Sequence, residues 1–317
     1  MEPTLNENAL VNELKGILFE YLVASKIAAN YKIQTKFNSD LCHVFKRRLQ
    51  QYQLTLLKMD SNLYDRIFLY ADQTCQKIIN ELSLEKVVSV YLMGKDHEEK
   101  VGESDIILKT ESGDINISLK LLKKSAFINT KSAGVNSFLK KYFDSEELQE
   151  KVNQNYLQIF DEFSLKIASK AGVELKHNLS ETWKENNLPD RPGILSEEFK
   201  PILFQYYGQV KNEILRSVIE VQNKSSKTFN DGLSSLIGFS KSDIIKVVFE
   251  YEKNKLGNCN IFKLPKSKLN PEIVKTESNT SFLVRCEKIL VQFRVKPMNK
   301  FTVPGIKLNI SVRHIDD

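Results

Sequence analysis

Two short apolar runs separated by a turn-rich link constrain this chain more than any other feature. The first is Ser104-Asp-Ile-Ile-Leu108 and the second is Ile115-Asn-Ile-Ser-Leu-Lys120. Between them, Lys109-Thr-Glu-Ser-Gly-Asp114 sets Gly113-Asp114 at the centre of the link, so the segment reads as a β-hairpin. Side chains alternate along a strand, which places Asn116, Ser118 and Lys120 on one face and Ile115, Ile117, Leu119 and Leu121 on the other. The apolar face must be covered by other elements. The polar face ends in a lysine beside the carboxylate of Asp105, which begins the neighbouring strand. An acid and an amine fixed on adjacent strands can hold a divalent cation and orient a water for attack on a phosphodiester.

Helical segments upstream supply the cover. Over about residues 8–30, Leu10, Leu14, Ile17, Leu18, Tyr21, Ala24 and Ala28 recur at helical spacing, with Glu20 at the border of that apolar face. Further helical patterns cover about 39–58 and 61–82. Lys86-Val-Val-Ser-Val-Tyr-Leu-Met93 is rich in β-branched and aromatic residues and reads as a strand ended by Gly94. Beyond the hairpin, Asn129-Thr-Lys-Ser-Ala-Gly134 reads as a loop that caps a helix running to about Phe143. Residues 146–172 and 195–224 are helical in pattern. From about 243 the chain turns to strands, among them Ile244–Tyr251, Ser281–Arg285, Ile289–Val295 and Lys307–Arg313.

This order predicts an α/β (α+β) fold, a mixed central sheet flanked by helices, with a helical middle and a β-rich C-terminal part. Three divisions are expected: 1–145 carrying the hairpin, 146–240 helical, and 241–317 β-rich. Three strands make a narrow sheet, so the strand near 246–251 is expected to complete the one begun by the hairpin.

The chain has 317 residues, 41% hydrophobic and 27% charged, ordinary values for a folded protein. Its formal net charge of +6 and pI of about 8.9 favour a polyanionic partner. The distribution is more informative than the sum, because Lys120, Lys123, Lys124, Lys131, Lys140 and Lys141 follow one another with no acid before Asp144. Gln292, Arg294 and Lys296 alternate on one strand face, as do Lys307, Asn309, Ser311 and Arg313 on another. Such faces suit a phosphate backbone, and Lys123, Lys124, Lys131, Arg294, Lys296 and Arg313 are the expected nucleic-acid contacts.

Cys42, Cys75, Cys259 and Cys286 are widely spaced, and the four histidines are equally scattered, so no zinc site or redox motif is indicated. No apolar signal core or membrane-length run is present, which leads to the expectation of a reduced, cytoplasmic protein with no membrane association. Phosphate-binding glycine motifs and the G-x-S-x-G elbow of serine hydrolases are absent from the sequence.

Glu20, then Asp105, then Ser118-Leu-Lys120 together resemble the PD-(D/E)XK nuclease superfamily, which includes many type II restriction endonucleases. The resemblance is by motif only and covers about residues 10–145. It implies a restriction-endonuclease-like core and a Mg²⁺-dependent endonuclease acting on double-stranded DNA, with a possible homodimer as the assembly. In that group an acid from the first helix joins the strand Asp, the (D/E)-x-K of the next strand and a basic segment after it. Ser104 stands where the pattern has proline, and Ser118 where it has an acid. Catalysis is therefore expected from Asp105, Lys120, Ser118 and Glu20. The metal is expected on Asp105, Glu20 and the main-chain carbonyl of Leu119.

A competing acidic set, Asp243 with Glu250-Tyr-Glu252-Lys253, has no turn between its ends, so Asp243 and Glu250 lie along one strand, roughly 23 Å apart at full extension. That spacing cannot share one metal. Glu103 and the Glu98-Glu99-Lys100 loop are acidic neighbours of the hairpin with no spacing that demands a role. The alternative to an enzyme is a non-catalytic nucleic-acid-binding or assembly protein whose lysines act electrostatically.

Overall fold

The computed structural model describes residues 5–84, 86–93, 104–124, 126–237, 244–252, 257–262, 269–274, 278–287, 289–297 and 299–314. The expected mixed α/β architecture is present. It is divided differently from the sequence expectation, into two compact units, one of residues 1–126 with 241–266 and the other of 127–240 with 267–317. The boundary expected at 145 falls at 126 instead; the chain returns to the first unit at 241, and only the first part of the β-rich C-terminal third, 241–266, belongs there.

The first unit opens with four helices, α1 (Leu5–Asn30), α2 (Gln34–Asp40), α3 (His43–Met59) and α4 (Ser61–Glu81). Asp60 separates the last two. Its N–H donates to Leu56 O and closes α3, while its carboxylate Oδ1 accepts from the N–H of Leu63 at 2.9 Å and caps α4. Then come β1 (Val87–Leu92), β2 (Ile106–Thr110) and β3 (Gly113–Lys123). β4 (Ile128–Gly134) belongs to the second unit, and β5 (Ile244–Tyr251) and β6 (Asn258–Phe262) return to the first.

The sheet order is β1-β2-β3-β5-β6. Its first three strands form an antiparallel meander, β5 runs parallel to β3, and β6 is antiparallel to β5. The strand at 246–251 thus completes the hairpin's sheet, as the narrowness of three strands demanded. Parallel neighbours need a long crossover, and here the chain passes through residues 127–240 of the second unit between β3 and β5.

α1 and α4 cover the apolar face of that sheet. Leu18, Phe19, Val23 and Ile27 of α1 and Ile67, Ala71 and Ile78 of α4 share one core with Ile117, Leu119, Leu121, Val247 and Phe249. Burying each large apolar side chain of this kind contributes about 1.5–3 kcal/mol. The alternation read from Ile115 to Leu121 is what faces β3 toward the helices.

The second unit holds α5 (Phe138–Phe143), α6 (Glu146–Ala171), α7 (Leu179–Glu185), α8 (Lys200–Lys224) and α9 (Ser226–Leu236). These pack with an antiparallel sheet of order β4-β10-β9-β8-β7, where β7 is Pro271–Val274, β8 Ser281–Cys286, β9 Ile289–Pro297 and β10 Ile306–His314. Residues 129–134, expected as a loop, form the edge strand β4. The Thr130 hydroxyl, which donates to Leu236 O and to Ile310 O, ties it to α9 and to β10. Among the described residues no helix is long and apolar enough to cross a membrane.

Candidate active site

The hairpin closes over a two-residue link, Glu111-Ser112, with Thr110 paired to Gly113. Gly113 is thus the first residue of β3 rather than the middle of the turn. Its φ of +136° lies in a region that side chains rarely adopt, which accounts for a glycine there. The Thr110 hydroxyl donates to Gly113 O at 2.7 Å and fixes the corner.

At the other end of the hairpin Ile106 is the register partner of Ile117, and the N–H of Asp105, just before β2, donates to Ile117 O at 2.8 Å. The Asp105 carbonyl accepts from Met93 N–H at 2.9 Å, so its backbone is held from both sides. Three consecutive β3 residues then reach one oxygen, Asp105 Oδ2: the Ser118 hydroxyl at 3.1 Å, the Leu119 N–H at 2.6 Å and the Lys120 ammonium at 3.2 Å.

The site is half-closed. Ser118 is only 3% exposed, whereas the side chains of Asp105 and Lys120 keep 20% and 37% of their surface. The carboxylate is anchored by β3 and keeps part of its surface accessible. In a strand, the N–H and C=O of one residue point the same way, so the Leu119 carbonyl faces the same edge as the N–H that meets Asp105.

The structure places Glu20 half-buried on α1, and the hydrogen bonds described above for Asp105 are made with β3 and with Met93, just past β1. Among the described residues no three His, Cys, Asp or Glu side chains gather into a metal-binding group. Asp243, Glu98, Glu99 and Glu103 lie outside the described residues.

A residue missed by sequence reasoning stands beside Ser118. The parallel register of β3 and β5 pairs Ser118 with Lys246 and Lys120 with Val248. Paired residues share a face, so Lys246 joins the polar side of the sheet with Asn116, Ser118 and Lys120. No local signal announces it, because its neighbour in space is 128 positions away in sequence.

The expected nucleic-acid contacts are divided between the units. Lys123 is exposed at the end of β3, and Lys124 pairs with Glu252 at 2.7 Å. Lys131, Arg294, Lys296 and Arg313 belong to the second unit. There Arg294 and Lys296 are exposed on β9, and Lys296 stands directly across from Lys307 of β10. Arg313 lies over the ring of Phe127, 4.9 Å from its centroid.

Near the end of β3, Lys15 of α1 is 7% exposed and donates to the Tyr251 hydroxyl at 3.0 Å. Burial, with Lys123 nearby as the lesser cause, lowers its pKa to about 8. All four cysteines are free thiols, with Cys42 exposed and the other three buried.

No protein-family model matches this chain, and no curated protein matches its sequence. Function has to be argued from the site itself.

Proposed function

We propose that this protein is a Mg²⁺-dependent endonuclease that hydrolyses phosphodiester bonds of double-stranded DNA, of type II restriction-enzyme kind and acting as a homodimer. The observation that carries the reading is the convergence of Ser118, Leu119 and Lys120 on Asp105 Oδ2. A carboxylate held by its neighbours and still partly open is pre-organised for a ligand, which lowers the cost of reaching a reactive arrangement.

The donor set suits Mg²⁺. That ion takes oxygen ligands, keeps several waters and is commonly bound by one or two carboxylates plus substrate phosphate. Asp105 and the Leu119 carbonyl would hold it, with Glu20 as the second acid. When bound, it supplies charge neutralisation at the phosphate and a more acidic water.

The remaining work falls to the chain. Lys120 carries its ammonium beside Asp105 and, when DNA enters, donates to a non-bridging phosphate oxygen or to the attacking water. Ser118 and the Leu119 N–H keep Asp105 from rotating away as Lys120 exchanges partners. Lys246, next to Ser118, adds positive charge where the phosphate would lie. Lys123 and the basic faces of the second unit give the sequence-independent share of affinity.

A second reading has one observation in its favour: Asp105 Oδ2 already has three donors, as a structural ion pair would. A non-catalytic nucleic-acid-binding or assembly protein would bind DNA without divalent metal and keep doing so after Asp105→Asn. The separating experiment incubates purified protein with varied unmethylated plasmids and Mg²⁺. The nuclease reading expects discrete cleavage that Asp105→Asn and Lys120→Ala abolish while binding persists. Intact DNA under every condition sinks it.

A further inference from the structure

The helix α3 carries a charge concentration that the proposed active site does not use. Residues 31–59 contain six Lys or Arg (Lys32, Lys36, Lys46, Arg47, Arg48, Lys58) against one acid, Asp40, a net +5 in a chain whose total is +6. Between Asp40 and Asp60 there is no acid at all. Among the described residues none of Lys46, Arg47, Arg48 and Lys58 takes part in an ion pair.

The helix is sharply two-sided. Leu49 and Leu56 are buried in the core shared with α1 and α4, and Phe45 and Tyr52 pack against it. At 100° per residue these four fall within one narrow sector. The opposite side holds Arg47, Gln51, Leu54 and Lys58, with Val44 on its flank and Arg48 further round toward Tyr52; all are exposed, Val44 keeping 47% of its surface and Leu54 60%. A helix of 17 residues with its inner face anchored and its outer face bare can enter a groove without disturbing its packing.

The chemistry of that outer face is selective. Arg forms paired hydrogen bonds to the O6 and N7 of guanine, Gln does the same to the N6 and N7 of adenine, and an aliphatic side chain meets the thymine methyl. Phosphate binding alone needs only charge, which lysine supplies. Arg47, Arg48 and Gln51 sit within one turn of each other, the reach of a few successive base pairs in a major groove.

We infer that the outer face of α3 is a base-reading element that enters the major groove of double-stranded DNA, with Arg47, Arg48 and Gln51 as its specificity-determining side chains. The inference rests on the DNA partner of the proposed function but not on the Asp105 chemistry. Charge complementarity selects the polyanion, and the Arg/Gln composition selects duplex bases over a lipid headgroup.

The test selects bound sequences from a random duplex library with the full-length protein in metal-free buffer. Wild type, Gln51→Ala and the charge-conserving double variant Arg47→Lys/Arg48→Lys are compared, each checked by thermal melting. The salt dependence of binding to one fixed duplex is measured in parallel. The wild type is expected to enrich a short motif. The double variant should keep the salt slope and lose roughly tenfold or more of the preference at one or two positions, and Gln51→Ala should relax a different position.

Identical motifs in all three proteins overturn the inference. So does a uniform loss of affinity with a shallower salt slope, the mark of a phosphate contact. Binding to phosphatidylserine vesicles without duplex binding overturns it in favour of a membrane surface. If no variant binds duplex DNA, the proposed function fails with it. If Asp105-dependent cleavage persists with unchanged preference, the inference fails alone.

Discussion

Lys120 Nζ lies 3.2 Å from Asp105 Oδ2, at the end of the β2/β3 ladder where Asp105 precedes the last register pair, Ile106 with Ile117. Continued by one residue, the pairing of Ile106 with Ile117 sets Asp105 opposite Ser118, on the polar face that also carries Lys120. The Asp105 N–H donates to the Ile117 carbonyl, and its carboxylate is met by three successive residues of β3.

That arrangement predicts a difference between two substitutions of Asp105. Asp105→Asn keeps an acceptor for the Leu119 N–H and the Ser118 hydroxyl, and should change stability little. Asp105→Ala leaves those partly buried donors unsatisfied and should cost about 1–3 kcal/mol. Urea denaturation of both variants measures this, and equal stability for the two would show that the anchoring contacts contribute nothing.

Lys15 gives the first unit a specific response to pH. Its folded-state pKa of about 8 lies below the ordinary lysine value of 10.5, so between those values the unfolded chain binds more protons than the folded one. The contribution of Lys15 to stability should therefore rise with pH from about 8. Tyr251, raised above the usual phenol range by burial, works in the opposite sense once pH passes about 10. The buried thiols of Cys75, Cys259 and Cys286, raised to about 11, 11 and 12, also work in the opposite sense above about pH 9, so the share of Lys15 is read as the difference between wild type and Lys15→Met. Denaturant titrations from pH 7 to 10 should show wild type gaining on the order of 1–2 kcal/mol relative to Lys15→Met; a difference that stays level or falls over that window contradicts the assignment.

The four thiols should separate cleanly by reactivity. Cys42 is exposed at the start of α3, and hydrogen bonds from the Phe45 and Val44 N–H groups, with smaller effects from Arg48 and Arg47, lower its pKa. Burial pushes Cys75 and Cys259 up to about 11 and Cys286 to about 12. Mass spectrometry after brief iodoacetamide treatment at neutral pH should find one modified cysteine, Cys42, with the other three modified only after denaturation.

Gly232 on α9 marks a close approach in the second unit. A Cβ there would run into the Tyr142 carbonyl and the ring of Phe143, which is itself stacked on Phe229 at 5.7 Å. Gly232→Ala should destabilise by about 1–3 kcal/mol through overpacking, despite alanine's better helix propensity. A melting temperature equal to wild type would show that α5 and α9 can separate at little cost.

The sequence was most legible where periodicity and local chemistry agree. Ile115 to Leu121 alternates strictly, and β3 buries the predicted face; Leu14, Leu18 and Ala24 keep helical spacing, and α1 covers that face. The loop expected at 129–134 is an edge strand because its partner, β10, lies about 180 residues later, and pairing of that range leaves no local trace. The same distance effect hid Lys246, and it put the boundary between units at 126 instead of 145. The Asp105–Lys120 pair was visible because a hairpin brings it together within 15 residues. Lys15 was invisible as a perturbed amine, since its burial depends on Tyr251 arriving from the far end of the chain.

In the proposed function the three donors of β3 hold Asp105 as a catalytic carboxylate. A plasmid-cleavage assay with Mg²⁺, run on wild type and Asp105→Asn at matched DNA occupancy, tests it most directly. The expected result is discrete double-strand cuts by wild type and none by Asp105→Asn, with both proteins folded and DNA-bound. Cleavage by Asp105→Asn at the wild-type rate, or no cleavage by wild type across varied unmethylated DNA, would contradict it.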